Sequence, residues 1–338
     1  MEDNITNDLL SFLLVQPKEI GDYDPIADIV STVNLVLERY LPAQVSAPFL
    51  DPSTGLVFRL RRAYNHVDLA SFQAAMEEFN AVITANLVSS TIADALDSTY
   101  TVATSLTERI LAQIYSRTVS PQVDKLRRYE AASDNVYGEL LPGFVSQIFR
   151  DTKLTPQSVF LDLGSGVGNV VLQAALEMGC QSYGIEQMDN PAGLATLQAA
   201  EFPARARLWG LAVGSIELIH GDFLEHPRCS ELIKQADVIL INNQAFSPQL
   251  NGDITRLFLD LKDGARVVSL KSFVPSGWKF GPRTNNDVLA LLDVERKEYW
   301  KGCVSWTDQG GEYFISRKGA YNRVRTLPRT VLRNRPRA

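Results

Sequence analysis

The stretch SVFLDLGSGVGN, residues 158–169, decides the architecture. Its first half, from Val159 to Leu163, is a short apolar run that ends in a turn, which reads as a buried strand. Its second half spaces Gly164, Gly166 and Gly168 two apart. Glycine loses more conformational freedom on folding than any other residue, so three of them at one strand end imply that backbone must approach something closely. The dinucleotide fingerprint GxGxxG brings a helix N-terminus onto a pyrophosphate. Here the spacing is GxGxG, and Asp162 stands two residues ahead of the first glycine. An acid in that place repels a pyrophosphate and suits an ammonium. A glycine turn that holds no ligand is the plain alternative.

Outward from that loop, short runs rich in Val, Ile and Leu alternate with helical segments. The runs are SYGIE (182–186), IELIHGD (216–222), DVILIN (237–242) and ARVVSLK (265–271). Strands alternating with helices predict βαβ units and a parallel sheet covered on both faces. The end of the region differs. DVERKEYWKGCVSW (293–306) and GGEYFIS (310–316) have hairpin character, with Gly310-Gly311 between them. A parallel sheet finished by an antiparallel hairpin is the layout of S-adenosylmethionine (SAM)-dependent methyltransferases. SAM carries a cationic sulfonium and an ammonium but no phosphate, so the loop with Asp162 favours it over NAD. The predicted fold class is α/β: a Rossmann-like class I SAM-dependent methyltransferase domain behind a mainly helical N-terminal domain.

The strand ends carry the candidate site, because open parallel sheets bind ligands at their carboxyl ends. Glu186 closes the second strand and is placed to accept ribose hydroxyls. Asp222 and Phe223 close the third. The acid can accept an adenine amino group while the ring covers the base; Asp222 can equally cap a helix. Asn242 and Asn243 end the fourth strand, before Phe246 and Pro248. An amide is neither base nor nucleophile; it donates and accepts hydrogen bonds. Methyl transfer from a sulfonium asks for a positioned, unprotonated amine, and a dry channel depresses an amine's pKa. Asn242 is the candidate for orienting such an amine, with Phe246, Trp306 and Tyr313 as the channel's aromatics. For Asn242 the alternative is a turn-closing role, and Asn243 is expected to have that role.

Residues 1–130 read as helical. Asp24-Pro25 is a cap and first-turn pair, followed by Ile26, Ile29, Val30, Val33 and Leu37 at helical spacing. A second helix is predicted through Leu69, Phe72, Met76, Phe79, Ile83 and Leu87, and a third through Leu106, Ile110 and Ile114. Ser120-Pro121 restarts a helix. The segment at 49–62 is open to a short strand or hairpin. Pro203 is expected to kink or break a helix. The chain is 45% hydrophobic, enough for a substantial core, and no apolar stretch is long enough to span a bilayer. Cys180, Cys229 and Cys303 are scattered, odd in number and without CxxC, which points to a reducing compartment. His66, His220 and His226 lack metal-ligand spacing, so no metal is expected. The acidic amino end, MEDNITNDLL, lacks the layout of a signal peptide. Net charge is −6, which argues against a protein that coats nucleic acid with its whole surface. Yet from Arg317 onward stand Arg317, Lys318, Arg323, Arg325, Arg329, Arg333, Arg335 and Arg337 with no acid. That tail (319–338) is either a solvated terminus or a phosphate-contacting arm.

Taken in order, VYGELLPGFVSQIF, FLDLGSGVGNVVLQAALEMGC, YGIEQMDNPAGLATLQ, ADVILINNQAF, ARVVSLKSF and VSWTDQGGEYFIS closely resemble the catalytic domain of the DOT (disruptor of telomeric silencing) family, its fungal members above all. These are histone H3 lysine-79 N-methyltransferases without a SET domain. The resemblance runs over residues 120–318 and implies a catalytic domain at 131–318. It implies that Tyr137 and Glu139 close over the methionine end of SAM, and that Asp162, Gly164, Gly166, Gly168 and Asn169 line its amino-acid moiety. Glu186 would take the ribose, Asp222 and Phe223 the adenine. Asn242 would meet the lysine, with Phe246, Trp306 and Tyr313 shaping its channel. A nuclear, monomeric chromatin regulator that acts in telomere silencing, recognises the nucleosome core and contacts ubiquitinated histone would follow, with nucleosomal DNA as a partner of the tail. Two departures stand out. Fungal relatives carry a basic segment ahead of the core, where this chain is acidic. Gln244 replaces a residue that is commonly hydrophobic. The alternatives are methylation of another protein or amine, or a chromatin-binding module with weak catalysis.

Overall fold

The computed structural model describes residues 24–97, 101–126, 138–278 and 287–319. The chain divides into two compact units, residues 1–100 and 101–338.

The first unit contains α1 (Pro25–Arg39), α2 (Ala43–Ser46), α3 (Leu56–Asn65), α4 (Leu69–Val88) and α5 (Thr91–Asp97). Asp24 caps α1 as expected. Its Oδ1 accepts the Ile26 and Ala27 amides at 3.0 and 2.9 Å, satisfying donors that a helix start leaves orphaned. Val30, Val33 and Leu37 bury one stripe of α1, and α3 packs on both α1 and α4. The expected strand or hairpin at 49–62 is a turn followed by α3. Asp51 Oδ1 gathers the Ser53 and Thr54 amides, and Leu56, Leu60 and Ala63 then recur at helical spacing on the buried face.

The second unit begins with α6 (Thr104–Thr118) and a tight 3-10 turn, Ser120–Lys125, where the sequence predicted a renewed helix. It continues through α7 (Pro142–Thr152), β1 (Val159–Leu163), α8 (Asn169–Gln173, extended by a π turn Ala174–Met178), β2 (Gln181–Glu186), α9 (Asp189–Leu208), β3 (Ile216–His220), α10 (Pro227–Gln235), β4 (Val238–Ile241), α11 (Pro248–Leu257), β5 (Arg266–Ser269), β6 (Leu292–Tyr299) and β7 (Gly311–Lys318). The units divide at 100/101 rather than at 130, because α6 packs on α9. Trp209 Nε1 donates to Gln113 Oε1 across that contact at 3.0 Å.

The strands form one sheet in the order β3-β2-β1-β4-β5-β7-β6. β1 to β5 are parallel, and β7 runs antiparallel to both β5 and β6. This is the class I SAM-dependent methyltransferase arrangement. The period-2 alternation of strand side chains splits the core in two. Phe160, Leu240, Val268 and Ile315 face α7 with Phe144 and Phe149. Leu161, Ile239, Ile241 and Val267 face the opposite layer with Phe258 and Phe273. The chain starts in the middle of the sheet, builds outward to β3, and crosses back to β4. The strand order therefore reverses between β1 and β4, and a crevice opens at their carboxyl ends.

Pro203 does not interrupt α9, contrary to the expected break. It sits on the exposed side, where a freed carbonyl can meet water, while Phe202 and Ala206 hold the turn from the buried side.

Candidate active site

A pocket lies at that crevice. The glycine loop after β1, the tips of β2, β3 and β4, and residues 138–140 line it. Gly164 and Gly166 have φ of +84° and +55°, a left-handed backbone that side-chain-bearing residues seldom adopt. The loop is clamped by Glu186, whose Oε2 accepts the Gly166 amide at 2.9 Å and whose Oε1 accepts the Met188 amide at 2.8 Å. The Gln187 backbone also donates to this carboxylate, so the side chain is fixed in the loop by three main-chain donors.

Among the described residues, the lining carries four acids, Glu139, Asp162, Glu186 and Asp222, and no lysine, arginine or histidine. Burial, and then the neighbouring Glu186, push the Asp162 carboxyl well above its usual range. Burial also raises Glu186, against the pull of its backbone hydrogen bonds. Such a site favours a cation and has nothing to offer a phosphate. The acids, the glycine floor and the apolar Phe223, Leu224 and Phe246 fit a SAM-like ligand with an ammonium, a sulfonium and an aromatic base.

The two asparagines after β4 separate cleanly. Asn243 is fully buried, and both its functions are saturated. Its Oδ1 accepts the Leu270 and Lys271 amides at 3.0 and 2.8 Å. Its Nδ2 donates to Asn251 Oδ1 at 2.9 Å and the Lys271 carbonyl at 3.0 Å. It ties the end of β4 to the end of β5 and to α11. Asn242 lines the pocket. Its Nδ2 donates to the Gly138 carbonyl at 3.1 Å, and its Oδ1 is buried with no hydrogen-bond partner among the described residues. A carbonyl can only accept, so the amide must turn its nitrogen to Gly138 and its oxygen away. A buried acceptor without a donor is costly unless a ligand supplies one.

The remaining predicted residues divide into those at the pocket and those away from it. Glu139, Asn169, Asp222, Phe223 and Phe246 line it. Phe223 and Phe246 stack at 6.4 Å between centroids. Asp222 Oδ1 accepts the Leu224 amide at 2.8 Å, closing a turn rather than capping α10, whose cap is His226. Gly168 does not line the pocket. It leads into α8 with φ +89°, and a Cβ there would lie 2.7 Å from Leu218, so its work is close packing. Trp306 is outside the lining, with its ring against Gly138. Tyr313 is the clear correction. It is fully buried on the α7 side of the sheet, edge-on to Phe144. Its hydroxyl donates to Asp151 and accepts from Gln147 Nε2, both on α7, because β7 lies beyond β5, two strands away from the crevice between β1 and β4. Tyr137 lies outside the described residues.

Two supporting residues escaped the sequence reading. Gly138 holds Asn242 through a backbone atom, for which no side-chain pattern exists. Gln198, buried on α9, donates to the Val167 carbonyl at 2.7 Å and to Asn169 Oδ1 at 2.8 Å, seating the glycine loop. A signal was present. Gln198 falls on the stripe Pro191, Leu194, Ala195, Phe202, a polar residue on a buried helix face.

A family model described as "Histone methylation protein DOT1" matches residues 115–318. Among curated proteins, the chain is 52% identical over 307 residues to the "Histone-lysine N-methyltransferase, H3 lysine-79 specific" of Aspergillus fumigatus, covering 91% of this chain and 61% of that protein. The same-named protein of Emericella nidulans is 51% identical over 90% of this chain and 61% of its own length. That of Gibberella zeae is 46% identical over 87% and 60%. The chain thus spans about three-fifths of the length of these relatives.

Proposed function

The chain belongs to the DOT1 family of histone methylation proteins, and on that premise we propose that it is a SAM-dependent histone-lysine N-methyltransferase acting on histone H3 lysine 79 in the nucleosome, in the nucleus. One observation carries the reading: Asn242 presents an unpartnered amide oxygen at the rim of a pocket with four acids and no cation. Glu139 and Asp162 would hold the amino-acid end of SAM, Glu186 the ribose, and Asp222 with Phe223 the adenine. When bound, SAM supplies a methyl group on a sulfonium, which passes in line to the amine as the sulfur–carbon bond breaks. The protein's part is placement. Leu240, Leu250 and Phe246 exclude water from the acceptor, and desolvation lowers the pKa of a lysine entering there, so that the neutral amine is favoured. Asn242 Oδ1 accepts an N–H of that amine and turns its lone pair toward the methyl. Being neutral, the amide does this without trapping an ammonium as an ion pair. Positioning of this kind is worth several orders of magnitude in rate.

The test uses recombinant nucleosomes, free histone H3 and SAM, with the methylated position read by mass spectrometry. Asn242→Ala is expected to lose about 100-fold or more in turnover and to bind SAM like the parent in calorimetry. Undiminished methylation by that variant removes Asn242 from the mechanism. Equal labelling of free histone refutes recognition of the nucleosome core.

A further inference from the structure

We infer that Gly138 is a positioning residue: its carbonyl sets the Asn242 amide, and residues 303–306 in turn seat Gly138, so the loop between β6 and β7 governs the acceptor-binding group from outside the pocket. The inference rests on the role proposed for Asn242 and extends it.

Four observations carry it. The Gly138 carbonyl is the hydrogen-bond partner of Asn242 Nδ2. The terminal torsion of an asparagine is broad and soft, so one bond decides where the opposite oxygen points. Residues 139–141 pair antiparallel with 303–305. Leu140 bridges Val304, the Leu141 amide donates to the Cys303 carbonyl at 2.9 Å, and the Ser305 amide donates to the Glu139 carbonyl at 2.9 Å. Ser305 adds a side-chain bond, its Oγ accepting the Glu139 amide at 2.9 Å. Finally, the Trp306 ring closes on Gly138 itself. A Cβ at 138 would stand 2.7 Å from Cε3 and 3.0 Å from Cζ3 of that ring. Glycine is required there because the ring takes the space. Ser305 and Trp306 lie outside the pocket lining, whereas Gly138 and Asn242 are part of it. A displacement of the outer loop therefore reaches the acceptor side through one carbonyl.

The experiment is a double-mutant cycle on the full chain with nucleosomes, read as kcat, beside SAM binding by calorimetry. Gly138→Ala, which pushes the strand off the ring, is expected to lower kcat about 10- to 100-fold, the scale of an ångström-sized misplacement. Ser305→Ala, which leaves the pocket lining intact, is expected to lower kcat by a smaller factor while SAM affinity stays within about threefold and the melting temperature holds. Both losses should shrink toward nothing in an Asn242→Ala background, since the group they position is gone. Additive losses overturn the inference, as does a Gly138→Ala enzyme that turns over like the parent. A parallel fall in SAM affinity and kcat for Ser305→Ala also overturns it, by showing general collapse of the strand. Should Asn242→Ala by itself keep full turnover, the parent reading of Asn242 fails instead, and the two failures are told apart.

Discussion

Asp162 is a carboxyl almost wholly removed from water beside a second buried acid. Burial, and then Glu186, raise its pKa in the folded chain, so the folded state holds a proton that the unfolded state has released. The stability that this group contributes is therefore present in full below the ordinary carboxylate range and is lost as pH rises toward the raised value, because ionising the buried acid costs more than ionising the free one. In the ligand-free protein, Asp162→Asn should flatten the fall of melting temperature as pH rises above the ordinary carboxylate range. A cationic ligand reverses the preference by favouring the carboxylate. SAM binding is then expected to release protons and to tighten as pH rises. Calorimetry in buffers of different ionisation enthalpy checks this: a binding heat independent of buffer would show that Asp162 is already ionised before the ligand arrives.

At the scale of elements, the glycine loop shows that three residues of one type have two jobs. Gly164 and Gly166 form pocket floor, while Gly168 lets α8 start against β3. Gly168→Ala should cost about 1–3 kcal/mol in urea unfolding, from left-handed strain plus the Leu218 contact, and should weaken SAM binding less than Gly166→Ala does. The five parallel strands were legible as short Val, Ile and Leu runs between helical segments, and the closing pair by its hairpin character. The Asp24 cap was legible because capping is local chemistry. What failed was non-local. The 49–62 segment looks extended until Leu56, Leu60 and Ala63 are seen to share a buried face. Pro203 looks like a breaker until its exposed position is known. Tyr313 belongs to a motif, yet its strand, β7, lies beyond β5 and sets it against α7. The Asn242 partner is a backbone carbonyl 104 residues away in sequence, and no spacing rule reaches that far.

For the molecule as a whole, the charges are segregated. The chain carries −6 overall, and the pocket is lined by acids without a base. Six arginines, Arg323, Arg325, Arg329, Arg333, Arg335 and Arg337, fall in 320–338, outside the described residues. Lys318 belongs to the fold instead. Its Nζ donates to the Leu259 carbonyl at 2.7 Å, and the Gly319 amide donates to the Leu291 carbonyl at 2.7 Å. Removal of 320–338 should leave the sheet intact, weaken nucleosome binding and flatten its salt dependence, by about 0.9 in logarithmic slope for each phosphate that the arginines no longer neutralise. Binding that is unchanged across low and moderate salt would reduce the tail to a solvated terminus.

The seam between 139–141 and 303–305 joins positions as much as 166 residues apart. Loop closure over that distance is slow and is rewarded only when the far partner arrives. On a ribosome the glycine loop and all five parallel strands emerge well before Ser305 does. A nascent or truncated chain lacking that last hairpin can build the cofactor floor but leaves the Gly138 carbonyl unheld and the Asn242 amide free to rotate. On the role proposed for Asn242, the group that orients the acceptor is then fixed last, after the cofactor floor.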